Sequence, residues 1–263
     1  MANWSQEPPL TPAQARAGFR AGSRGTHTSR TIMLAELSDL LEALPTSASR
    51  DDYFRATTEA NLLGKSTGAT RRLSDQRLGE LYGLDPNISL FRVLRRLWSA
   101  DPAGRPLLAM LCALARDPLL RATATPVLTL TPGAELVRGT FLDALRAVVG
   151  SRLNDNVLDK VARNAASSWS QAGHLAGRMR KIRQRVTPTP GATAYALWLG
   201  SLEGLAGESL LSSRWAAVLD VTGRELLPVV LQAKQLGLIH ARAGGGVIEI
   251  DVSRLDESTP MVA

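Results

Sequence analysis

The stretch Ser170-Gln-Ala-Gly-His-Leu-Ala-Gly-Arg-Met-Arg-Lys-Ile-Arg-Gln-Arg-Val186 carries the densest positive charge in this 263-residue chain. Seven basic side chains lie in this stretch and just before it, namely Lys160, Arg163, Arg178, Arg180, Lys181, Arg183 and Arg185. No Asp or Glu occurs between residues 160 and 202. The net charge of the whole chain is +7, so these seven side chains equal its entire excess. Such concentrated charge predicts a polyanionic partner, with nucleic acid favoured.

Apolar residues recur in this stretch with the spacing of an α-helix. Four of them follow at steps of four, three and four, namely Leu175, Met179, Ile182 and Val186. At about 100° per residue they share one narrow face, while Arg180, Lys181 and Gln184 point the opposite way. We therefore predict a helix over residues 170–186, capped by Ser170, with a cationic outer face like that of a DNA recognition helix.

The predicted DNA-binding set combines the basic and polar side chains of this region. Its members are Lys160, Arg163, Ser170, Gln171, His174, Arg178, Arg180, Lys181, Arg183, Gln184 and Arg185. On a helix, Arg178, Arg183 and Arg185 would lie on phosphates, and His174 would meet a phosphate or water. The alternatives are a solvated basic face and a surface for an acidic protein or RNA. A membrane-surface helix is disfavoured because the apolar face lacks Trp and Phe.

A second group of basic residues precedes Tyr82 on another predicted helix. This secondary basic surface consists of Lys65, Arg71, Arg72 and Arg77. The motif Gly64-Lys65-Ser66-Thr67 at its start resembles the end of a phosphate-binding P-loop. The full motif needs a glycine at position 59, which is Glu59, and a preceding strand where the pattern indicates a helix. We therefore predict a turn, with Ser66 or Thr67 capping the helix.

Composition indicates a globular protein, the periodicity a mainly α-helical one, and the lack of catalytic motifs a non-enzymatic one. Apolar residues make up 44% of the chain and charged residues 21%. No apolar run is long enough for a transmembrane helix, and no apolar signal core follows the first residues, so we expect a cytoplasmic protein without a membrane partner. The single cysteine, Cys112, lies in an apolar run, and the three histidines are far apart. We therefore predict no metal, no cofactor and no catalytic residue.

The pattern divides the chain into successive units. We predict a flexible basic leader over residues 1–27, with an arm that contacts phosphate as the alternative. An all-α domain over residues 28–122 follows, and then a connector over residues 123–132 with a short extended piece at 127–130. Within the all-α domain, we expect Asn87 to cap the helix after it, Arg95 to lie on the exposed side of that helix, and the apolar segment 102–115 to form the central helix. A helix-turn-helix-like DNA-binding unit follows over residues 133–189, with one helix at 133–149 and another, capped by Asn154, that ends at about residue 167, before the basic one. A winged-helix-like unit over residues 190–255 and a tail over residues 256–263 complete the chain.

The winged-helix-like unit is predicted from three helices followed by a β-hairpin. Alternating apolar residues over 247–252 and the triple glycine before them indicate the hairpin. Thr222 and Glu225 have the spacing of a capping box, while Pro228 favours a late helix start. The hairpin carries Glu249 and Asp251, which would repel phosphate. We therefore expect this unit to bind DNA more weakly than the first, or to contact protein instead.

Several short motifs together resemble a known family. They are Glu59-Ala-Asn-Leu-Leu63, Ser66, Thr70-Arg-Arg72, Asp117-Pro-Leu-Leu120, Trp169-Ser170, Leu202-Glu-Gly-Leu-Ala-Gly-Glu-Ser-Leu-Leu211 and Trp215. Their order and spacing resemble the BrxA family, the small first component of BREX phage-defence islands. The resemblance covers residues 28–219.

The resemblance implies a NusB-like helical N-terminal domain, winged-helix units downstream, and binding of double-stranded DNA. It also implies other proteins of an antiphage system as partners, and no catalytic residue. The basic leader and the glycine-rich hairpin with its tail depart from the family pattern. They leave open a divergent branch that serves a different defence system. The membrane label long attached to the family finds no support in this sequence.

Overall fold

A computed structural model describes residue 4, residues 9–244 and residues 247–256. The fold is mainly α-helical, with two small antiparallel strand pairs. The first eight helices are α1 Pro12–Ala17, α2 Leu34–Ala43, α3 Arg50–Thr58, α4 Gly68–Tyr82, α5 Ser89–Ala100, α6 Arg105–Arg116, α7 Pro118–Ala122 and α8 Ala124–Leu128. The predicted mainly α class is therefore confirmed.

Local capping sets several of these boundaries. The Ser49 hydroxyl accepts the backbone N–H of Asp52, and the Asp52 carboxylate accepts the N–H of Ser49, which closes a capping box at the start of α3. Thr67 accepts the N–H of Thr70 at the start of α4. Gly83, with φ +91°, follows the end of α4. The predicted turn before α4 is confirmed, and a helix rather than a strand precedes it.

Two helices are enclosed on all sides and carry the centre of the core. Nearly every residue of α6 is buried, and α6 packs against α4 and α5. The predicted central helix of the N-terminal part is therefore confirmed. Helix α11, Pro190–Ser201, is buried in the same way from Gly191 to Gly200 and packs against both α5 and α6. One hydrophobic cluster includes residues from the 28–122, 133–189 and 190–255 units.

Several apolar residues of the described leader are packed on the body, so the prediction of a flexible, solvated leader is wrong for that part of it. Trp4 and Phe19 are 4% and 6% exposed, and both meet Trp215 edge-on at 5.0 and 5.6 Å between ring centroids. Thr11 caps α1, and its hydroxyl donates to the Leu202 carbonyl at 2.8 Å. Long-range aromatic burial outweighs the polar composition that suggested disorder. Residues 1–3 and 5–8 lie outside the described part.

Three other local predictions need correction. The connector over residues 123–132 contains α8 rather than an extended piece. Asn87 does not cap α5, whose N-cap is Ile88. Arg95, expected on the exposed face of α5, is 6% exposed, and its Nη2 donates to the Leu44 carbonyl at 2.7 Å. A guanidinium that binds a helix-end carbonyl can be buried at low cost, which periodicity alone does not reveal.

The C-terminal part follows the predicted order of helices and then a hairpin. Its remaining elements are α12 Arg214–Ala217, α13 Leu227–Gln235, a strand His240–Gly244 and a strand Val247–Asp251. These strands pair antiparallel with Arg242 opposite Glu249. The capping box predicted at Thr222 is wrong, because its side chain makes no cap hydrogen bond and a 3-10 turn, Gly223–Leu226, precedes α13. Pro228 lies in the first turn of α13, which confirms the late start.

The glycine-rich turn at residues 245–246 and the tail from residue 257 onward lie outside the described part of the chain. Within the described residues, no helix is both long and apolar enough to cross a membrane.

Candidate nucleic-acid interface

The basic stretch forms a hairpin rather than the predicted recognition helix. Helix α9 is Arg138–Val149 and helix α10 is Asp155–Gln171, and α10 is followed by the strands β1 Leu175–Ala176 and β2 Ile182–Arg183. Gly173 and Gly177 have φ of +89° and +98°, values that side-chain-bearing residues of a helix do not adopt. The helical spacing of the apolar residues was therefore a coincidence over a turn, a strand and a loop.

Ser170 is likewise not an N-cap. It lies in the last turn of α10, where its hydroxyl donates to the Ala166 carbonyl at 2.9 Å. The true N-cap of α10 is Asn154, which accepts the N–H of Val157 at 3.0 Å, as predicted for the helix that precedes the basic stretch. This helix runs four residues beyond the predicted end at residue 167.

A third extended segment completes a small sheet beside the hairpin. Arg183 donates its N–H to the Ala134 carbonyl at 2.9 Å, and Gly133 donates to the Arg183 carbonyl at 2.9 Å. Leu136 donates to the Lys181 carbonyl at 2.8 Å, and Glu135 bridges to Ile182. Residues 133–136 are therefore extended, and the helix predicted from residue 133 begins only at Arg138.

The order of these elements is helix α8, extended segment 133–136, helix α9, helix α10, strand β1, a loop over residues 177–181, and strand β2. The extended segment pairs with β2, which in turn pairs with β1. We call residues 177–181 the hairpin loop. Two consecutive helices are therefore followed by a hairpin whose loop contacts the last turn of the second helix.

Helix α10 has one buried and one open face. Its buried side chains are Leu158, Val161, Ala162, Ala165, Ser168 and Trp169. The side chains on the opposite side of the helix form what we call the open face of α10. They follow one another at steps of four, three, four and three residues, and they are Asn156, Lys160, Arg163, Ser167 and Ser170. Lys160 and Arg163 are exposed, and within the described residues neither makes an ion pair. The open face is therefore polar and cationic.

The hairpin loop is fixed to the end of this face. Lys181 donates from Nζ to the Ser170 hydroxyl at 3.0 Å and to the Gly177 carbonyl at 2.7 Å. A Cβ on Gly177 would lie 2.2 Å from the Arg180 carbonyl oxygen, so this turn requires glycine. Arg178 and Met179 are left exposed at the tip. The open face of α10 and the hairpin loop thus form one continuous surface.

Ion pairs neutralise part of the local charge. Arg180 donates from Nε to Glu135 at 2.7 Å, and this hydrogen bond lowers the pKa of the Glu135 carboxyl. Two further pairs, Arg138–Asp159 and Arg146–Asp155, lie beside the open face. Residues 133–189 carry 10 Lys and Arg against 4 Asp and Glu, a net charge of +6. The excess remains concentrated on the exposed cations of the open face, the hairpin loop and the segment after it.

Arg183 is a structural residue, so the prediction that it contacts phosphate is wrong. Its side chain is 2% exposed and pairs with Asp220, which is 9% exposed. Nε donates to the Val127 carbonyl at 2.9 Å, and Nη1 donates to Asp220 at 3.1 Å. Asp220 also accepts the N–H of Val186 at 2.8 Å. This buried pair ties β2 to α8 and to the loop after α12.

His174 is also buried, so the expected contact with phosphate or water is wrong. Its Nε2 donates to the Val218 carbonyl at 2.8 Å, and its ring lies 4.9 Å from that of Trp169. Burial lowers the pKa of His174 to about 4. The imidazole is therefore neutral at physiological pH and joins the end of α10 to the C-terminal part.

Of three other residues in the predicted DNA-binding set, one supports the fold and two are exposed. Gln171 accepts the N–H of Leu34 at 3.2 Å and so supports the start of α2. Gln184 is exposed, and its amide donates to the Ile182 carbonyl at 3.4 Å. Arg185 is exposed and donates to the Asp220 carbonyl at 3.3 Å. Of these three, only Gln184 and Arg185 present side chains to solvent beyond β2.

Most of the secondary basic surface is partnered. Lys65 pairs with Glu36 at 3.0 Å, and Arg77 pairs with Glu80 at 2.7 Å. Arg71 donates to the Thr58 carbonyl at 3.3 Å. Arg72 is exposed and makes no ion pair within the described residues. This surface is therefore less cationic than its sequence suggested.

A buried network that the sequence did not reveal holds α10 in place. His27 donates from Nδ1 to Asp117 at 2.8 Å, and its Nε2 lies 2.8 Å from the Ser168 hydroxyl. Burial acts to raise the pKa of Asp117, but His27 and backbone N–H groups outweigh it and lower that pKa. Asp117 and Ser168 lie 90 and 141 positions away from His27, so no sequence motif connects the three residues.

The same three side chains have the order of a nucleophilic triad, but their surroundings indicate a structural role. All three are at most 1% exposed. The Ser168 hydroxyl also accepts the N–H of Ile32 at 3.0 Å and lies 2.9 Å from the Asn164 carbonyl. A substrate has no access to this oxygen. Within the described residues, no group of His, Cys, Asp and Glu is arranged to hold a metal ion.

No protein-family model matches the chain, and no curated protein matches it. The likeness to a defence family therefore depends on the short motifs alone.

Proposed function

We propose that this chain is a non-enzymatic protein that binds double-stranded DNA through a winged-helix arrangement. In this proposal α10 is the recognition helix, and the hairpin loop is the wing. The main support is that the open face of α10 and the hairpin loop form one continuous surface, joined by the hydrogen bond between Lys181 and Ser170. Lys160 and Arg163 point toward DNA, while the triad around His27 and the Arg183–Asp220 pair fix the helix and the hairpin from behind.

The charge of this surface sets the expected strength of binding. Four side chains on it are cations without an ion pair in the described residues, namely Lys160, Arg163, Arg178 and Lys181. If each neutralises one phosphate, the logarithm of affinity falls with the logarithm of salt concentration at a slope of about −3 to −4. Phosphate contacts dominate, so sequence preference is weak.

Fluorescence anisotropy with a random duplex tests this proposal. Between about 50 and 200 mM salt, we expect the affinity to fall roughly 100-fold. Absence of binding at the lowest salt concentration would contradict DNA binding and favour an acidic protein or RNA as the partner of the basic surface.

We further propose that the chain acts with other proteins in a BREX-like antiphage system. The support is the resemblance to the BrxA family, since several of its motif residues organise this fold. Asp117 holds His27, and Glu203 accepts hydrogen bonds from the Trp215 indole at 2.8 Å and from Arg214 at 2.7 Å. In this proposal the helices before residue 123 form the NusB-like domain, and the last unit is a second winged helix.

A scaffold or adaptor role is the second candidate, and the C-terminal unit favours it. Three large apolar side chains are exposed there, Leu231 at 40%, Leu236 at 60% and Val247 at 62%. The strand that carries Val247 also carries Glu249 and Asp251. Such a surface suits protein better than phosphate. A pull-down of defence proteins that survives nuclease treatment would support the adaptor role.

A further inference from the structure

The tip of the hairpin loop presents an apolar side chain between two arginines. Met179 is 90% exposed, more than any other large hydrophobic residue in the described part of the chain. Arg178 and Arg180 flank it. Folding gives no reason for this placement, because Met179 buries almost none of its surface. An exposed thioether on a cationic tip is suited to a partner that is both apolar and anionic.

The loop holds this side chain outward rather than leaving it free to fold back. Lys181 bonds across the loop to the Gly177 carbonyl, and Gly177 permits an approach that any Cβ would prevent. Arg180 is held toward Glu135 on the neighbouring extended segment. Arg178 and Met179 are the residues of the loop that these contacts leave unattached. Preorganisation of this kind reduces the entropy cost of binding.

The position of the loop relative to α10 suggests which part of DNA it meets. The open face extends from Asn156 to Ser170, and 14 residues of helix span about 21 Å. The major groove is about 12 Å wide. A recognition helix contacts base edges with its N-terminal turns, so in the proposed binding mode a loop fixed at Ser170 lies beyond the groove that receives those turns. On the far side of the phosphate backbone lies the adjacent minor groove.

We propose that the hairpin loop enters the minor groove, with Met179 packed as an apolar wedge against the base edges and Arg178 in the groove beside it. This inference rests on the proposed DNA binding. Minor-groove proteins insert Met and other apolar side chains at base steps, and arginine prefers the narrow, strongly negative groove of A·T-rich DNA. The loop therefore favours A·T-rich duplexes, although α10 binds with little sequence preference.

The test uses the full-length chain, an A·T-rich and a G·C-rich duplex, and netropsin, a small ligand that occupies the A·T minor groove. We expect the wild-type chain to bind the A·T-rich duplex about fivefold more tightly, and saturating netropsin to remove this preference. Met179→Ala and Arg178→Ala should each lose about five- to tenfold on the A·T-rich duplex and respond little to netropsin. Leu62→Ala, which truncates an apolar residue that is 38% exposed and lies outside both proposed binding surfaces, should behave as wild type.

Two results separate failure of this inference from failure of DNA binding. Suppose that Lys160→Ala/Arg163→Ala weakens binding and lowers the salt slope, while netropsin and Met179→Ala have no effect. Then the minor-groove inference is wrong and the DNA-binding proposal stands. Loss of binding to phosphatidylserine vesicles by Met179→Ala, with DNA affinity unchanged, would also overturn the inference, since Met179 would then serve a membrane surface. If the wild-type chain binds neither duplex, both proposals are wrong.

Discussion

Lys181 donates from Nζ to the hydroxyl of Ser170 across 3.0 Å, and this bond joins a five-residue loop to the last turn of α10. The sequence suggested that both residues belong to one helix. The structure instead places them on two elements that meet. Basic residues far apart along the chain, such as Lys160 and Lys181, therefore share a surface. The predictions below separate the residues that form this surface from those that support it.

Replacement of Arg183 by alanine should lower the free energy of unfolding by about 3–5 kcal/mol, because it leaves the Asp220 carboxylate buried without its partner. Denaturant unfolding followed by circular dichroism measures the change. The matched control is Arg185→Ala two residues away, which removes an exposed guanidinium and should change stability by at most about 0.5 kcal/mol. Equal losses in the two variants would show that Arg183 is not the structural residue.

His174 should make the stability depend on pH in the mildly acidic range. Burial lowers its pKa from 6.5 to about 4, so between these values the unfolded chain binds a proton that the folded chain does not. The contribution is complete above about pH 6.5 and is lost as the pH falls toward 4, at about 1.4 kcal/mol per pH unit. Two charged groups also act on the imidazole: Asp220 acts to raise the pKa of His174 and Arg183 to lower it.

The measurement compares unfolding free energies at pH 7 and pH 5 for the wild-type chain and for His174→Gln. We expect the wild-type chain to lose about 2 kcal/mol more than the variant over this interval. Identical pH dependence in the two proteins would mean that His174 titrates normally and is not buried as the structure shows.

His27→Ala should destabilise the fold by about 3 kcal/mol or more, because Asp117 would keep a buried charge without its imidazole partner. Arg24→Ala, which removes an exposed leader side chain, serves as the control and should be nearly neutral. Thermal unfolding distinguishes them. A fluorophosphonate probe for activated serines should leave Ser168 unlabelled, since its hydroxyl is enclosed. Labelling at Ser168 would contradict the structural role and reopen an enzymatic one.

The leader should contribute directly to stability. Phe19→Ala removes a ring that is 6% exposed and packed against Trp215, so we expect a loss of about 3–5 kcal/mol. The control is Phe54→Ala, where the ring is 40% exposed and the loss should be about 1 kcal/mol. If both variants lose equally little, the leader does not pack as described.

Local signals in the sequence predicted much of the helical framework. Thr67 and Asn154 are N-caps as their side chains suggested, and both depend only on backbone atoms three residues away. The apolar run of α6 predicted its central position, because the run has no polar face that could lie toward solvent. These features are encoded within one or two helical turns, which is the range over which periodicity and capping act.

The candidate site was harder to predict because its determinants lie far apart along the chain. The apolar spacing around Met179 imitated a helix, and the glycines at 173 and 177 were the local evidence against it. The burial of Arg183 depends on Asp220, and that of His27 on Asp117, with no local spacing to indicate either pair. Without knowledge of these contacts, the sequence could not show which of the seven basic residues are exposed and which are buried.

The most direct test of DNA binding by α10 compares two double variants that each remove two exposed cations. Lys160→Ala/Arg163→Ala changes the open face, whereas Arg72→Ala/Lys234→Ala changes α4 and α13. Anisotropy with a random duplex across the salt range should show the slope decreasing by about two units for the first variant and staying at the wild-type value for the second. Equal weakening by both variants, or no change in the first, would contradict the placement of DNA on α10.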